Sequence, residues 1–242
     1  MKCVVMQPTF VPWAGYFNLL SQADCFVFFD DVQLEKQSWQ TRNRILVQGQ
    51  VTWISVPVFH RKLDQAINQT EVFDQSRWRD KLPRQLLQAY ARHQYREDMA
   101  SLASKLPEIA STNLAEINIT LILECCKKLD VTPKIVLRSS ELDIPGKRTD
   151  RLINICQELG CDEYLSPLGA AEYLAQDHFC ERSSIKLTFQ DYSPLPYFQK
   201  QAQAFVSHLS IIDVVASLGW AKAAEYVRCC SQETLSGENK GA

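Results

Sequence analysis

"KCVVMQPTFVPWAGYFNLLSQADCFVFFDD", residues 2–31, is the stretch that decides the fold of this protein. Residues 2–6 are apolar and partly β-branched, which predicts a buried strand that ends before Pro8. Aromatic and leucine side chains follow at helical spacing in residues 13–22, and residues 25–29 predict a second buried strand. Strand, turn, helix and strand in this order predict a βαβ unit, with parallel strands covered on both faces.

The rest of the chain continues this alternation. Further strands are predicted at residues 134–138, 163–166 and 184–192, helices at 76–103, 114–130, 149–160 and 211–230, and a hairpin at 44–48 and 51–58. The pattern predicts a single α/β domain over residues 1–242, with a Rossmann-like, mostly parallel sheet and helices on both faces. In this interpretation residues 44–110 form a mixed α/β insertion, and residues 231–242 form a flexible tail. In such sheets ligands bind at the carboxyl ends of the strands.

Composition and charge exclude several classes of protein. The 242 residues are 46% hydrophobic and 22% charged, which is typical of a globular protein with a sizeable core. A formal net charge of -2 gives no general attraction to nucleic acid or anionic membranes, so an anionic ligand needs local binding groups. The sequence has neither a signal-peptide pattern nor the run of ~18 apolar residues that a membrane span requires, so we expect a cytoplasmic protein.

The nine cysteines predict free buried thiols. Their number is odd, the pairs Cys125-Cys126 and Cys229-Cys230 are adjacent within helical patterns, and neither a CxxC nor a Cys-His ligand spacing is present. Structural zinc sites need such spacings, so the sequence predicts no metal ligands.

The turn after the first strand is the first candidate ligand site. Gln7, Pro8, Gly15 and Tyr16 are expected to bind a substrate or nucleotide, with Gly15 admitting a ligand close to the backbone. The following helix offers free N–H groups to an anion. The alternative is a rigid turn of packed aromatic side chains, with Trp13 and Tyr16 in the core.

The second candidate is the loop "DDVQLEKQSWQTRNR", residues 30–44. Asp30 and Asp31 follow the second strand and, with Lys36, are expected to be catalytic, as a proton acceptor or in binding a metal-nucleotide complex. The loop also contains side chains that suit a phosphate or a sugar: two planar guanidinium groups, one amide and one indole ring. The expected binding residues are therefore Trp39, Arg42, Asn43 and Arg44. The alternative is a solvated charged loop.

The third candidate is "GKRTDR", residues 146–151, where cations begin a predicted helix. We expect Thr149 to cap this helix while Lys147, Arg148 and Arg151 surround an anion. The spacing is not that of a Walker A loop. Cations in a first helical turn are unfavourable without an anion, which favours a binding site over a plain helix start.

Two later stretches complete the expected site. "SPLGAAEYL", residues 166–174, repeats the strand-end design of the opening, so Ser166, Gly169 and Tyr173 are expected to bind ligand. Tyr197 and Gln199 are expected to line the pocket. Ser210, in contrast, fits a helix N-cap, with Asp213 in the first turn of that helix.

Taken together, these stretches resemble the WbqC-like family of bacterial proteins. The resemblance rests on "MQPTFVPWAGYF" (6–17), "ADCFVFFDDVQLEKQSWQTRNRIL" (23–46), "KRTDRLINICQELGCDEYLSPLGAAEYL" (147–174) and "PYFQ" with "LSIIDVVASLG", in this order over nearly the whole chain. The family is found among genes for O-antigen and other surface polysaccharides, and glycine or aminoacyl transfer has been suggested for its members. The opening is also loosely similar to Rossmann-like ligases and nucleotidyltransferases, whose ATP-binding histidines it lacks.

The resemblance implies acyl or aminoacyl transfer from a small-molecule donor to a sugar or amine acceptor. ATP or another nucleotide with Mg²⁺ is the expected activating cofactor. Two alternatives stay open: a glycosyltransferase that uses a nucleotide sugar, and a non-catalytic module that binds a phosphorylated metabolite. Nucleic acid is expected as a partner only in the form of a charged tRNA donor.

Overall fold

A computed structural model describes residues 1–229, so Cys230 and the expected tail at 231–242 lie outside the described residues. The strands are Lys2–Met6 (β1), Cys25–Phe28 (β2), Arg42–Val47 (β3), Gln50–Ser55 (β4), Ile135–Arg138 (β5), Glu163–Ser166 (β6) and Lys186–Phe189 (β7). The helices are Ala14–Gln22 (α1), Trp78–Ala89 (α2), Arg96–Ala103 (α3), Lys105–Glu108 (α4), Leu114–Leu129 (α5), Arg148–Glu158 (α6), Ala171–Gln176 (α7), Phe179–Arg182 (α8) and Ile211–Arg228 (α9). Short 3₁₀ helices span Ile67–Gln69, Asp74–Ser76, Ser139–Glu141 and Leu168–Ala170.

Five strands form one parallel sheet in the order β5-β2-β1-β6-β7. The chain runs outward from β1 through β2 to β5, and then returns to place β6 on the other side of β1. Two connections therefore leave β1 and β6 in opposite directions at the middle of the sheet. Such a reversal opens a crevice at the carboxyl ends of the two strands. The parallel α/β fold expected from the sequence is confirmed.

Side chains alternate between the two faces of the sheet, and helices cover both. Val4, Phe26 and Phe28 belong to the core that α1, α5 and α9 complete. The residues between them, Val5 and Val27 among them, belong to a second core with α6, α7 and α8. Because successive side chains in a strand point to opposite faces, apolar runs such as "CFVFF" are those of strands buried on both sides.

The segment expected as a mixed insertion contains the antiparallel β3-β4 hairpin and the helices α2 to α4. Its apolar side chains, including Ile45, Ile54 and Trp78, belong to the same core as α1, α5 and α9. The single helix predicted over residues 76–103 is wrong, because the chain breaks between α2 and α3. Tyr90 is buried at that break, and its hydroxyl donates a hydrogen bond of 2.9 Å to Asp213 of α9.

α9 begins as predicted, with the Ser210 side chain accepting from the backbone N–H of Ile212. Its interior contains a break at Gly219, whose φ of 74° and ψ of 166° are open to glycine and little else. The Asp98 carboxylate accepts from the backbone N–H of Trp220 at 3.1 Å and so caps the second half of the helix. Within residues 1–229, none of the helices has the length and apolar composition to cross a membrane.

Candidate functional site

A cavity of about 830 Å³ opens at the carboxyl ends of β1 and β6, where the strand order reverses. Its polar lining is mostly uncharged and consists of Gln7, Thr9, Ser38, Gln40 and Tyr173, with Glu35 and Arg148 as the ionic groups. Aromatic side chains, Trp39 among them, and the small residues Gly169 and Ala170 complete the wall. Below, "the cavity" means this space.

A side pocket of about 250 Å³ adjoins the cavity. The two spaces share Met6, Thr9 and Trp39, which therefore form the boundary between them. The other residues of the side pocket are Pro12, Trp13, Tyr16, Asn43 and His208. The structure thus joins a mainly apolar cavity that carries several polar groups to a smaller, largely aromatic pocket.

The stiff turn after β1 forms the wall between these spaces. The Asn118 side-chain amide donates to the carbonyl oxygens of Pro8 at 3.0 Å and Gln40 at 2.8 Å, which ties the turn to the loop after β2. The Asn43 amide donates to Phe10 and Val11 at 3.0 Å each. Asn43 therefore holds the backbone in place while it lines the side pocket.

Val11 is held in a strained conformation at this turn, with a φ of 37°. A positive φ is costly for a β-branched residue and persists where surrounding contacts over-determine it. Those contacts include the bond from Asn43 and a second from the Ser210 hydroxyl at 2.7 Å to the Val11 carbonyl oxygen. Such strain is concentrated at ligand sites in proteins, which agrees with the position of this turn beside the cavity.

Two buried polar atoms in the cavity wall lack a partner among the described residues: Gln40 Oε1 and Thr9 Oγ1. Gln40 is 3% exposed, and its Nε2 donates to Gln7 Oε1. A buried polar atom without a hydrogen bond costs roughly 1–3 kcal/mol. Both atoms are almost completely covered, so donors of a bound ligand would reach them only after the side chains around them move.

Asp30 and Asp31 lie outside the cavity lining, and their oxygens already have protein partners. Asp30 is buried and accepts from Ser139 Oγ at 3.2 Å, Ser140 N at 3.1 Å and Ser140 Oγ at 2.8 Å. Asp31 accepts from Ser139 Oγ at 2.6 Å and pairs with Arg151. The two carboxylates join the end of β2 to the segment after β5, and their occupied oxygens do not fit a Mg²⁺ ion. Lys36 is exposed and does not line the cavity.

The cations expected to bind an anion at residues 146–151 are mostly paired within the protein. The expected N-cap at Thr149 is wrong: α6 begins at Arg148, Lys147 occupies the N-cap position, and Thr149 Oγ1 donates to Asp177 at 2.7 Å. Arg148 pairs with Asp177 at 3.1 Å. The partner carboxylates, Asp177 for Arg148 and Asp31 for Arg151, come from distant parts of the chain, so the local sequence does not reveal these pairs. Arg148 still lines the cavity, whereas Lys147 does not.

Gly15 makes room for a side chain of the protein. A Cβ atom at this position would overlap the indole ring of Trp13, so the expected close approach of a ligand is replaced by a packed aromatic ring. Tyr16 is buried and its hydroxyl donates to the Gln7 carbonyl oxygen at 3.0 Å. Burial raises the pKa of Tyr16, which keeps the phenol neutral beside the side pocket.

The hairpin and the loop before it carry two exposed indole rings and two arginines. The rings of Trp39 and Trp53 have centroids 5.5 Å apart, and Arg42 Cζ lies 4.2 Å from the centroid of Trp53. Arg44 Cζ lies 5.6 Å from the centroid of Trp39. Within residues 1–229, neither arginine has a carboxylate within ion-pair distance. Their positive charge is available to an anion next to the boundary residue Trp39.

The remaining expected residues divide between the site and the core. Gly169 and Tyr173 line the cavity, whereas the fully buried Ser166 donates to the Pro167 carbonyl oxygen at 3.4 Å. Tyr197 donates to Asp213 at 2.7 Å, and Gln199 bonds the backbone of Val206. Tyr197 and Gln199 thus lie outside both the cavity and the side pocket.

Comparison with known proteins relates this chain to a family. The profile of the WbqC-like protein family matches residues 7–225, a span that contains all cavity-lining residues except Val5 and Met6. The chain belongs to the WbqC-like protein family. It is similar to "Uncharacterized protein Rv1507c" of Mycobacterium tuberculosis, with 31% identity over 236 residues, which cover 96% of this chain and 99% of that protein. No solved structure matches it.

Several site residues of this WbqC-like protein were absent from the sequence prediction. Thr9, Glu35, Ser38 and Gln40 are single polar residues in loops, and the folded chain brings them together. His208 carried no motif, yet it lines the side pocket. Desolvation and then the nearby Arg44 cation lower the pKa of His208, so its imidazole is neutral at pH 7.

Proposed function

We propose that this WbqC-like protein transfers an acyl or aminoacyl group to the amine of an amino sugar or related metabolite in surface-polysaccharide or specialised-metabolite biosynthesis. One observation carries the proposal: a large cavity that carries several polar groups and an aromatic side pocket adjoin at Thr9 and Trp39. Two substrates bound in these spaces would meet at that boundary. Such juxtaposition is a major source of rate in group transfer.

The cavity suits the sugar acceptor. Hydroxyl groups of a sugar would donate to Gln40 Oε1 and Thr9 Oγ1, which lack other partners in the described structure. The carboxylate of Glu35 would accept a hydrogen bond from the neutral amine of the acceptor and so orient it. An indole face such as that of Trp39 packs against the C–H face of a sugar ring.

The side pocket suits the acyl group of the donor. Its volume of about 250 Å³ admits a small acyl or aminoacyl group, and its aromatic walls exclude water from it. Arg42 and Arg44 would face the phosphates of a donor activated by ATP or another nucleotide. Activation of a carboxylate is the chemistry that such a nucleotide supplies.

The proposed transfer step forms one amide bond. The amine nitrogen of the acceptor attacks the carbonyl carbon of the activated acyl group, the C–N bond forms, and the leaving group departs with its electron pair. The neutral imidazole of His208 takes the proton that the nitrogen loses. The product is an amide.

The test is an assay of the full chain with a nucleotide-linked amino sugar. ATP, Mg²⁺ and glycine are supplied together in one reaction, an acyl-CoA in a second and charged glycyl-tRNA in a third. Mass spectrometry should detect a sugar whose mass has increased by one acyl residue in one of the three. Release of the nucleotide without acylation would instead support a glycosyltransferase. A ligand-dependent thermal shift without any product would support a binding module.

A further inference from the structure

Three cysteine thiols meet in a buried cluster that the proposed transfer does not use. Cys3 comes from β1, Cys25 from β2, and Cys161 from the connection between α6 and β6. Their sulfur atoms all lie within 4.8 Å of one another, and each residue is at most 4% exposed. Cys3 and Cys25 are direct neighbours in the parallel register.

We propose that Cys3, Cys25 and Cys161 form a three-thiolate site for one soft, monovalent d¹⁰ metal ion, with Cu(I) as the ion of best fit. The donor set is entirely sulfur, and such sets select soft ions. Three sulfurs around one metal at a bond length of ~2.3 Å lie about 4 Å apart, which is inside the observed limit. A disulfide would need two of them at ~2.05 Å and would leave the third thiol unused.

A zinc site fits less well. Structural zinc almost always has four ligands, and the fourth thiol nearby, Cys156, contacts Cys3 without joining the mutually close group. The cluster also differs from other core cysteines of the described residues. Cys125 and Cys126 are buried and adjacent in α5, yet neither belongs to a group of three mutually close ligand atoms.

None of the three cysteines lines the cavity, so the cluster is a site apart from the proposed transfer. Cys3 lies two residues before Val5, the first residue of β1 that lines the cavity, which is about 7 Å along the strand. A bound ion would join β1, β2 and the connection before β6. Because the folded chain assembles the three ligands from separate segments, binding would stabilise the folded state.

The experiment titrates the reduced full chain with Cu(I) under anaerobic conditions, in competition with bicinchoninate. We expect one ion per chain, three sulfur neighbours in X-ray absorption, and a higher melting temperature. Cys161→Ser should weaken binding by at least the ~100-fold that a lost supporting contact can cost. If Cys161→Ser fails to fold, Cys25→Ala serves as the second variant, because a core strand tolerates alanine.

The matched controls are Cys180→Ser, which is exposed, and Cys126→Ser, which is buried in α5. Both should bind Cu(I) like the unaltered chain. Equal binding by the Cys161→Ser and unaltered chains would overturn the proposal, as would weaker binding by Cys126→Ser. Preferential binding of Zn(II) that depends on Cys156 would overturn the three-ligand assignment. The acyl-transfer proposal does not depend on either result.

Discussion

At the scale of single residues, Gln40 is the cavity group whose role is easiest to isolate. Replacing Gln40 with Leu removes an unpartnered buried oxygen and one bond to the half-buried Gln7. We expect the affinity for a nucleotide-linked amino sugar to fall about 5- to 150-fold, which corresponds to ~1–3 kcal/mol. Stability should change little. Calorimetric titration measures the affinity of the unaltered chain and that of the Gln40→Leu variant. Gln33→Leu, at an exposed position, is the control.

The second prediction for single residues concerns His208 and the pH dependence of kcat/KM. If its neutral imidazole accepts the proton, kcat/KM falls as the pH drops through the lowered pKa, so the acidic midpoint lies below 6.5. Arg44→Ala removes a cation that lowers this pKa, and the midpoint should move upward. His208→Gln should reduce kcat by roughly 10²–10⁴-fold. A pH profile that is the same in Arg44→Ala would argue against this base.

At the scale of elements, the start of α1 depends on a missing Cβ atom. Gly15→Ala would force the Trp13 ring out of its place, at a cost of about 1–3 kcal/mol in the free energy of unfolding. Gly169→Ala is the matched control, because nothing lies within 4 Å of its added Cβ atom. That variant should stay within ~0.5 kcal/mol in urea unfolding. Equal stability of the two variants would contradict the packing described for α1.

The first turn of α9 contributes a pH-dependent term to stability. Burial raises the pKa of Asp213 above 3.8, although hydrogen bonds from Tyr197 and Tyr90 oppose the shift. A raised folded pKa means that the contribution of Asp213 is fully present below its unfolded pKa and is lost as pH rises through the folded value. In the Asp213→Asn variant the side-chain amide at this position does not ionise, so this pH-dependent contribution is absent. The stability of the unaltered chain relative to this variant should therefore decrease from pH 4 to pH 7 in urea unfolding.

The elements themselves were largely predictable, and their breaks were not. Short apolar runs predict buried strands, so the five strands of the sheet were predicted close to their observed bounds. The interruptions at Tyr90 and Gly219 are set by contacts with distant partners, Asp213 and Asp98. Helical periodicity continues across both positions, so no local pattern indicates the break at Tyr90.

At the scale of the whole molecule, strand order is what assembles the site. Gln7, Arg148 and Gly169, which follow strands or begin helices, line the cavity at the carboxyl edge of the sheet; whether they bind a ligand stays a prediction. Gln40 and Thr9 were missed, because their importance comes from burial without a partner, which appears only in the folded chain. Arg42 and Lys147, also expected beside Gln7, do not line the cavity.

The central claim is that the cavity between β1 and β6 holds the sugar acceptor. The most direct measurement is a crystal structure of the full chain with a nucleotide-linked amino sugar. The account predicts the sugar ring against Trp39, with its hydroxyl groups within hydrogen-bond distance of Gln40 Oε1 and Thr9 Oγ1. A ligand bound at another surface, with the cavity holding solvent alone, would contradict it.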